Sequence, residues 1–305
     1  MSKVSVIGSM NCDTTIHVER FPLPGETISA KGYAVSIGGK GANQAAALAK
    51  AGLAVEMYGA VGNDEAGEQM LHALEDLHVG TQHVQRSERA QTGQAFITVE
   101  NSGNNHIMIV AGANGECTSE YADANAADIL SADAVLAQLE IPVSTVLKSF
   151  KLAKDKGILT VLNPAPAQHF RIELLDYTDI LVPNESEMET LYGREIRDHA
   201  ELEKACEWLA QSGVSVIIVT LGSKGCYVYH GGQGSFHTPY RVKVVDTTAA
   251  GDSFIGSFLA AYLEEKQVLP AIDYAQKVAS ITVSREGAIQ SIPSKEEVAA
   301  YQFEM

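Results

Sequence analysis

Apolar and polar positions follow two rhythms along this chain. Residues 3–10, KVSVIGSM, form a short β-branched run that stops at Gly8, the pattern of a buried strand. ANQAAALAKAG (42–52) predicts a helix closed by Gly52, and DEAGEQMLHALEDL (64–77) predicts a second. From about residue 134 the two rhythms alternate. AVLAQLE, ILTVLNP, DILVPN, SVIIVTLG and CYVYH read as strands. VSTVLKSFKLAKDKG, ESEMETLYG, AELEKACEWLAQSG and FIGSFLAAYLEEK read as helices. This alternation predicts an α/β fold, a central and mostly parallel sheet flanked by helices on both faces.

Two regions depart from it. Residues 13–36 are short alternating runs broken by Pro22, Pro24 and Gly25, and residues 92–110 read as two strands around the turn ENSGNN. Together they predict a small, partly exposed sheet apart from the main layers. With no internal repeat and no low-complexity linker, the expectation is a single domain over 1–305 into which the small sheet is inserted.

A chain of 305 residues with 46% hydrophobic and 20% charged content has ordinary globular composition. The net charge of −16 argues against a general nucleic-acid or membrane-surface binder. It also requires any phosphate site to be built locally, from backbone N–H groups, a few basic side chains and a metal ion. Cys12, Cys117, Cys206 and Cys226 are scattered without a CxxC pair, and they read as free thiols of a reducing compartment. The nine histidines show no ligand spacing, and Trp208 falls in an amphipathic helix as a packing residue. The N-terminus lacks the features of a signal peptide, and no apolar run is long enough to span a bilayer, so the expected location is the cytoplasm.

In sheets of this kind, ligands sit beyond the carboxyl ends of the strands. The segments leaving those ends are GSMNCD, LEIP, NPAP, PNESE, TLGSKG and DTTAAGDSF. SIGGKGANQ (36–44) combines three glycines, a lysine and a helix start, which suits either a flexible turn or an anion cradle. Neither GxxxxGK[ST] nor GxGxxG occurs, which counts against P-loop ATPases and dinucleotide-binding oxidoreductases. AAGD (249–252) is the stronger signal, because its amides can converge on one anion at a helix N-terminus. Asp252 there is either a helix cap or a base. A backbone anion hole beside a carboxylate is what phosphoryl transfer to a hydroxyl needs. Aspartate is a weak base for a sugar hydroxyl, but the loose phosphoryl transition state asks little of the nucleophile.

SIGGKGANQAAALAKAG and VVDTTAAGDSFIGSFLAAYL resemble the N- and C-terminal signatures of the ribokinase-like (PfkB) carbohydrate kinases. GSMNCD, AQLEIP, LNPAPA, LVPNESE and VTLGSKGCYV match the same family in order and spacing, so the resemblance covers nearly the whole chain. It implies a small β-sheet lid over the sugar, with strands drawn from about 13–36 and 92–110, and a homodimer through that lid. It implies Asp252 as general base, with the amides of Ala249, Ala250 and Gly251 as the anion hole. Asn11, Asp13, Gly39, Lys40, Asn43 and Glu140, with Asp252, match the family's sugar contacts. Asn184 and Glu187 match its NxxE motif, linked to Mg²⁺ through water and to phosphate; a capping box explains the same pair equally well. Thr220, Gly222, Gly225 and Gln276 match positions along the nucleotide, together with Asn184, Ala250 and Gly251. Asp246, Thr248, Thr282, Arg285, Gly287 and Ser291 match a monovalent-cation region, usually K⁺. Many members carry glycine where Ala249 stands; a methyl group is acceptable there if φ stays negative.

The implied reaction is ATP-dependent phosphorylation of D-ribose at O5, with Mg²⁺ and K⁺. Deoxyribose, fructose or a nucleoside are alternative acceptors. A non-catalytic sugar sensor is disfavoured by the intact AAGD.

Overall fold

The computed structural model describes residues 1–102, 104–167 and 172–303. The chain opens with β1 (Lys3–Ile7), β2 (Asn11–His17), β3 (Gly32–Gly38), α1 (Lys40–Lys50), β4 (Ala54–Gly62) and α2 (Glu65–Asp76). Four strands follow, β5 (Val79–Gly80), β6 (Val84–Ser87), β7 (Gly93–Val99) and β8 (Asn105–Val110), then the short helices α3 (Ser119–Ala124) and α4 (Ala126–Ile129). The next stretch holds β9 (Ala134–Ala137), α5 (Val143–Asp155), β10 (Leu159–Leu162), β11 (Ile180–Leu181), α6 (Glu185–Tyr192) and α7 (His199–Ala210). It closes with β12 (Val216–Thr220), β13 (Cys226–His230), β14 (Gln233–His237), α8 (Ala250–Glu265), α9 (Val268–Val283) and α10 (Lys295–Ala300).

The main sheet runs β14-β13-β12-β11-β10-β9-β1-β4-β5, with β6 also pairing on β4. From β12 to β5 the pairings are parallel; β13 and β14 add an antiparallel edge. Each central strand is apolar on both faces, and alternate residues enter different cores. Val4, Leu136, Val161 and Ile218 pack with Leu48 of α1, Leu74 of α2, Phe258 of α8 and Ile272 of α9. Ile7, Val135, Leu162 and Ile217 pack on the other face with Phe150 of α5, Met188 of α6 and Leu209 of α7. This is the expected three-layer arrangement.

Local chemistry sets the helix starts. Asp64 accepts from Gly67 N at 2.8 Å ahead of α2, and Asp198 accepts from Glu201 N at 2.9 Å ahead of α7. α8 lies against α1 because Gly256 has no side chain. A Cβ there would sit 2.6 Å from Ala47 Cβ and 2.9 Å from the Gln44 carbonyl. That close approach brings the start of α8 up to Asn43 and Gln44.

The small sheet has the order β3-β2-β7-β8, with β2 and β7 parallel and the outer pairs antiparallel. Its strands lie where the two irregular regions predict them, beginning at Asn11 and ending at Gly38 on one side and spanning 93–110 on the other; Gly103, in the ENSGNN turn, lies outside the described residues. The sequence pattern assigns no element at β4, β5, β6, α3, α4, β14, α9 or α10, and for three of them the cause is plain. β4 carries Glu56 and Gly59 inside its apolar run, which blurs the signal of a strand that neighbours β1. α9 starts after Gln267 with no side-chain cap and holds Pro270 in its first turn. β14 is short and polar, and lies at an edge. The four cysteines form no disulfide, and Trp208 packs edge-on against Tyr192. Among the described residues no helix is long and apolar enough to cross a membrane.

Candidate active site

The carboxyl ends of the central strands meet the start of α8 in a cavity of about 500 Å³, lined in part by Lys40, Asn163, Asn184, Glu187, Thr220, Ala249 and Asp252. Asp252 is buried, in the first turn of α8. Its Oδ2 accepts from Asn43 Nδ2 at 2.9 Å and its Oδ1 from Gln44 Nε2 at 2.9 Å. A carboxylate has about four acceptor sites, so each oxygen retains one for a ligand hydroxyl. Asp252 makes no side-chain cap for α8, so of the two readings of this residue capping is absent.

The expected sugar contacts gather around β2 and the glycine loop. Gly39 precedes α1 at φ 89°, and a Cβ on it would lie 2.8 Å from Asn11 N, so the loop can hug the start of β2 only as glycine. Glu140 accepts from Ser9 Oγ in a short bond and from Lys40 N at 3.1 Å. Asn11 Oδ1 accepts from Asn114 Nδ2 at 2.7 Å. Asp13 Oδ1 and Asn43 Oδ1 are buried and have no donor. Two orphaned acceptors near Asp252 and Glu140 are a deficit that ligand O–H groups would fill. Burial, then the charges of Glu140 and Asp252, push the Asp13 carboxyl up to about 7, against the opposing pull of Lys40. Burial draws Lys40 downward, but Asp252, Glu140, Glu187 and Asp13 outweigh it and its pKa is raised. Lys40 is thus a fixed positive charge among four carboxyl groups.

The phosphate side differs from the sequence expectation in two details. Ala249 takes φ 59°, ψ 8°, in the left-handed region, so its φ is not negative as the methyl group was expected to require. The tight turn into α8 demands it, at a cost of roughly 1–2 kcal/mol for a non-glycine residue. Ala250 N is donated to the Thr247 carbonyl at 3.2 Å, within the turn. Among the described residues no hydrogen bond engages the amides of Ala249 and Gly251, which stay available at the helix N-terminus.

Asn184 and Glu187 form a complete capping box. Asn184 Oδ1 accepts from Glu187 N at 2.8 Å and Glu187 Oε2 from Asn184 N at 2.9 Å, with a third bond from Asn184 Nδ2 to Glu187 Oε1. Burial raises the Glu187 carboxyl; the Asn184 amide and Lys40 oppose the shift. Among the described residues no group of three or more His, Cys, Asp or Glu could hold a metal. These residues thus offer no all-protein cage for a divalent ion.

Thr220 and Gly222 line the cavity. Gly225, at φ 92°, is not among the lining residues and packs against the His237 backbone. Gln276 is buried on α9, donates Nε2–H to the His237 carbonyl at 3.0 Å and leaves its Oε1 without a donor; it does not line the cavity. In the cation region, Asp246 ties two segments together. It accepts from Thr248 N at 2.9 Å, Thr248 Oγ1 at 2.7 Å and Gly287 N at 2.9 Å, and these bonds hold its carboxyl low despite partial burial. Thr282 and Ser291 are buried and donate to the Val278 and Ala288 carbonyls, while Arg285 pairs with Glu297 at 2.9 Å. Ser9, Gln44, Asn114, Gln138 and Asn163 take part in the site without a role in the sequence reading. All but Asn114 stand inside the quoted motifs, and that position was the available signal.

The model of the pfkB family carbohydrate kinases matches residues 1–295. The chain is 39% identical over 298 residues to ribokinase of Haemophilus influenzae, covering 98% of this chain and 97% of that protein. It is 41% identical over 301 residues to a bifunctional ribokinase/ribose-5-phosphate isomerase A of Fructilactobacillus sanfranciscensis, where it spans 98% of itself but 56% of that protein. The solved structure of Arabidopsis thaliana ribokinase complexed with ribose and ATP superposes with a TM-score of 0.92, at 35% identity and 98% coverage of each chain. This chain belongs to the pfkB family of carbohydrate kinases.

Proposed function

We propose that the protein transfers the γ-phosphoryl group of ATP to the O5 hydroxyl of D-ribose, giving D-ribose 5-phosphate and ADP. Asp252 takes the proton of the attacking hydroxyl as the O5–P bond forms and the bond to the ADP oxygen breaks. The free amides at 249 and 251 and the Lys40 ammonium receive the charge on the phosphoryl oxygens. Mg²⁺ bound to the nucleotide supplies further neutralisation of the phosphates. Asn11, Asp13, Gly39, Asn43 and Glu140 hold the sugar, and Asn184, Thr220 and Gly222 border the nucleotide, supported by Gly225 and Gln276. The observation that carries the sugar reading is the pair of buried, donorless acceptors on Asp13 and Asn43, because a pentose offers a fan of O–H donors.

A panel of sugars assayed with ATP, Mg²⁺ and K⁺ tests this. ADP production should follow ribose, with 2-deoxyribose poorer in kcat/KM; a missing hydroxyl can cost about 10⁴ where its partners are buried. A preference for 2-deoxyribose overturns the acceptor assignment. The bonds from Asp246 to Thr248 and Gly287 support a K⁺ that stiffens the 246–248 and 282–291 segments. Replacing K⁺ by Na⁺ or tetramethylammonium should lower turnover, and equal rates would remove the K⁺ assignment.

Sugar binding should depend on pH through Asp13. Its empty-site carboxyl titrates near 7, because of burial and then Glu140 and Asp252, with Lys40 opposing. Sugar hydroxyls favour the ionised form, so binding releases a proton. Affinity should therefore rise with pH by up to about tenfold per unit below 7 and level off above it. Titration calorimetry reads the constant and the proton released. Asp13→Asn should weaken binding and flatten the profile; an unchanged profile in that variant contradicts the assignment.

The chain acts as one domain over 1–305, in which β2, β3, β7 and β8 serve as the lid. The exposed Tyr33, Val35, Ile107 and Ile109 of that sheet support a homodimer formed through it. Dependence on ATP fits a cytoplasmic location.

A further inference from the structure

Gln44 reaches the proposed base but has no part in holding sugar or nucleotide. It lies on α1, fully buried. Its Nε2 donates to Asp252 Oδ1 at 2.9 Å and to Asn163 Oδ1 at 3.1 Å, and its Oε1 accepts from Gln138 Nε2 at 2.7 Å. The direction of every bond is forced. The Val182 carbonyl can only accept, so Asn163 turns its Nδ2 there, at 2.9 Å, and its Oδ1 toward Gln44. An ionised carboxylate also only accepts. Gln44 must then point its NH₂ at Asp252 and Asn163 and its oxygen at Gln138. An amide flip would set oxygen against oxygen in two places.

The groups that fix this side chain come from separate elements. Gln138 follows β9, Asn163 follows β10, Val182 follows β11, and Asp252 opens α8. The chain of amides thus references the carboxylate of Asp252 to the ends of three adjacent central strands. Asn43 differs: it holds Oδ2 of the same carboxylate, but its own Oδ1 has no donor, so it keeps an acceptor to offer when sugar arrives. Gln44 has only protein partners and no such freedom.

We propose that Gln44 is the positioning residue of the phosphoryl-transfer reaction, fixing Oδ1 of Asp252 so that Oδ2 is held toward the acceptor hydroxyl. This rests on the reading of Asp252 as the base. Gln44 touches neither substrate, so its loss should act on the chemical step more than on binding.

The test is Gln44→Met in the full-length protein, compared with Asp252→Asn, by steady-state kinetics over pH with thermal melting alongside. Gln44→Met should lower kcat by between about tenfold and about 100-fold, as misplacing a catalytic group does. Sugar KM should stay within about threefold, since uniform binding is untouched. The acid limb of the kcat–pH profile should move up, because a buried carboxylate without its donor is harder to keep charged. Gln138→Met, which frees the far end of Gln44, should shift that limb the same way by less, and it serves if Gln44→Met does not fold. Gln44→Glu should move the limb further, because a second carboxyl then faces Asp252. A fall in melting temperature with kcat and acid limb unchanged, while Asp252→Asn is inactive, overturns the positioning role and leaves the base intact. Full activity in Asp252→Asn removes the base reading itself.

Discussion

Asp252→Asn is expected to lower kcat by at least about 100-fold, the lower end of what a general base contributes. The reasons are geometric and chemical. The carboxylate is buried at the start of α8, and donors from Asn43 and Gln44 meet its two oxygens at 2.9 Å each. An asparagine can accept at one end only, so its NH₂ would face the NH₂ of Asn43 or Gln44. The variant loses the proton acceptor and one charge-assisted bond, and gains a donor–donor repulsion. It should therefore melt lower as well as turn over more slowly, and ADP release with thermal melting measures both. A variant within about threefold of the parent rate removes Asp252 from the proton transfer, because a general base contributes far more than that.

Gly251→Val is expected to separate activity from stability. A Cβ built on Gly251 meets nothing within 4 Å, and the residue lines the cavity. The fold can thus accept a larger side chain, and glycine to valine in the first helical turn is no loss of helix propensity. The added methyl groups would occupy the volume in front of the 249 and 251 amides, where the phosphoryl oxygens must sit. Losing one such donor costs about 10²–10³ in kcat. Ala250→Gly is the control. It removes a methyl group, keeps every amide and leaves the Ala250 N to Thr247 bond possible. Kinetics should show Gly251→Val far below Ala250→Gly, with similar melting temperatures. Equal turnover in the two variants contradicts the anion hole at this turn.

Much of this site was legible in the sequence because its chemistry is local. AAGD places amides and a carboxylate within four residues, and GGKG places a cation beside a helix start. The alternation after residue 134 marked the parallel sheet because strands buried on both faces read as short, continuous apolar runs. β4 escaped because Glu56 and Gly59 interrupt it, although it lies beside β1. The left-handed Ala249 escaped because residue type alone favours negative φ there, and only the turn geometry overrides that preference. The amide relay through Gln138, Gln44 and Asn163 joins residues up to 119 positions apart. No spacing rule marks such a contact; it joins α1 to residues that follow β9 and β10, and Gly256 brings α8 close to the same helix. The Asn184–Glu187 pair shows that a capping box and a cavity wall can be built from the same residues.

The most direct measurement is a crystal structure of the protein with D-ribose and a non-hydrolysable ATP analogue. The expected result has O5 within about 2.6–3.2 Å of an Asp252 carboxylate oxygen, the reach a general base requires. The γ-phosphate oxygens should lie about 2.7–3.1 Å from the amides of Ala249 and Gly251. A complex in which O5 turns to Asp13 or Glu140, with Asp252 touching only Asn43 and Gln44, contradicts the central claim.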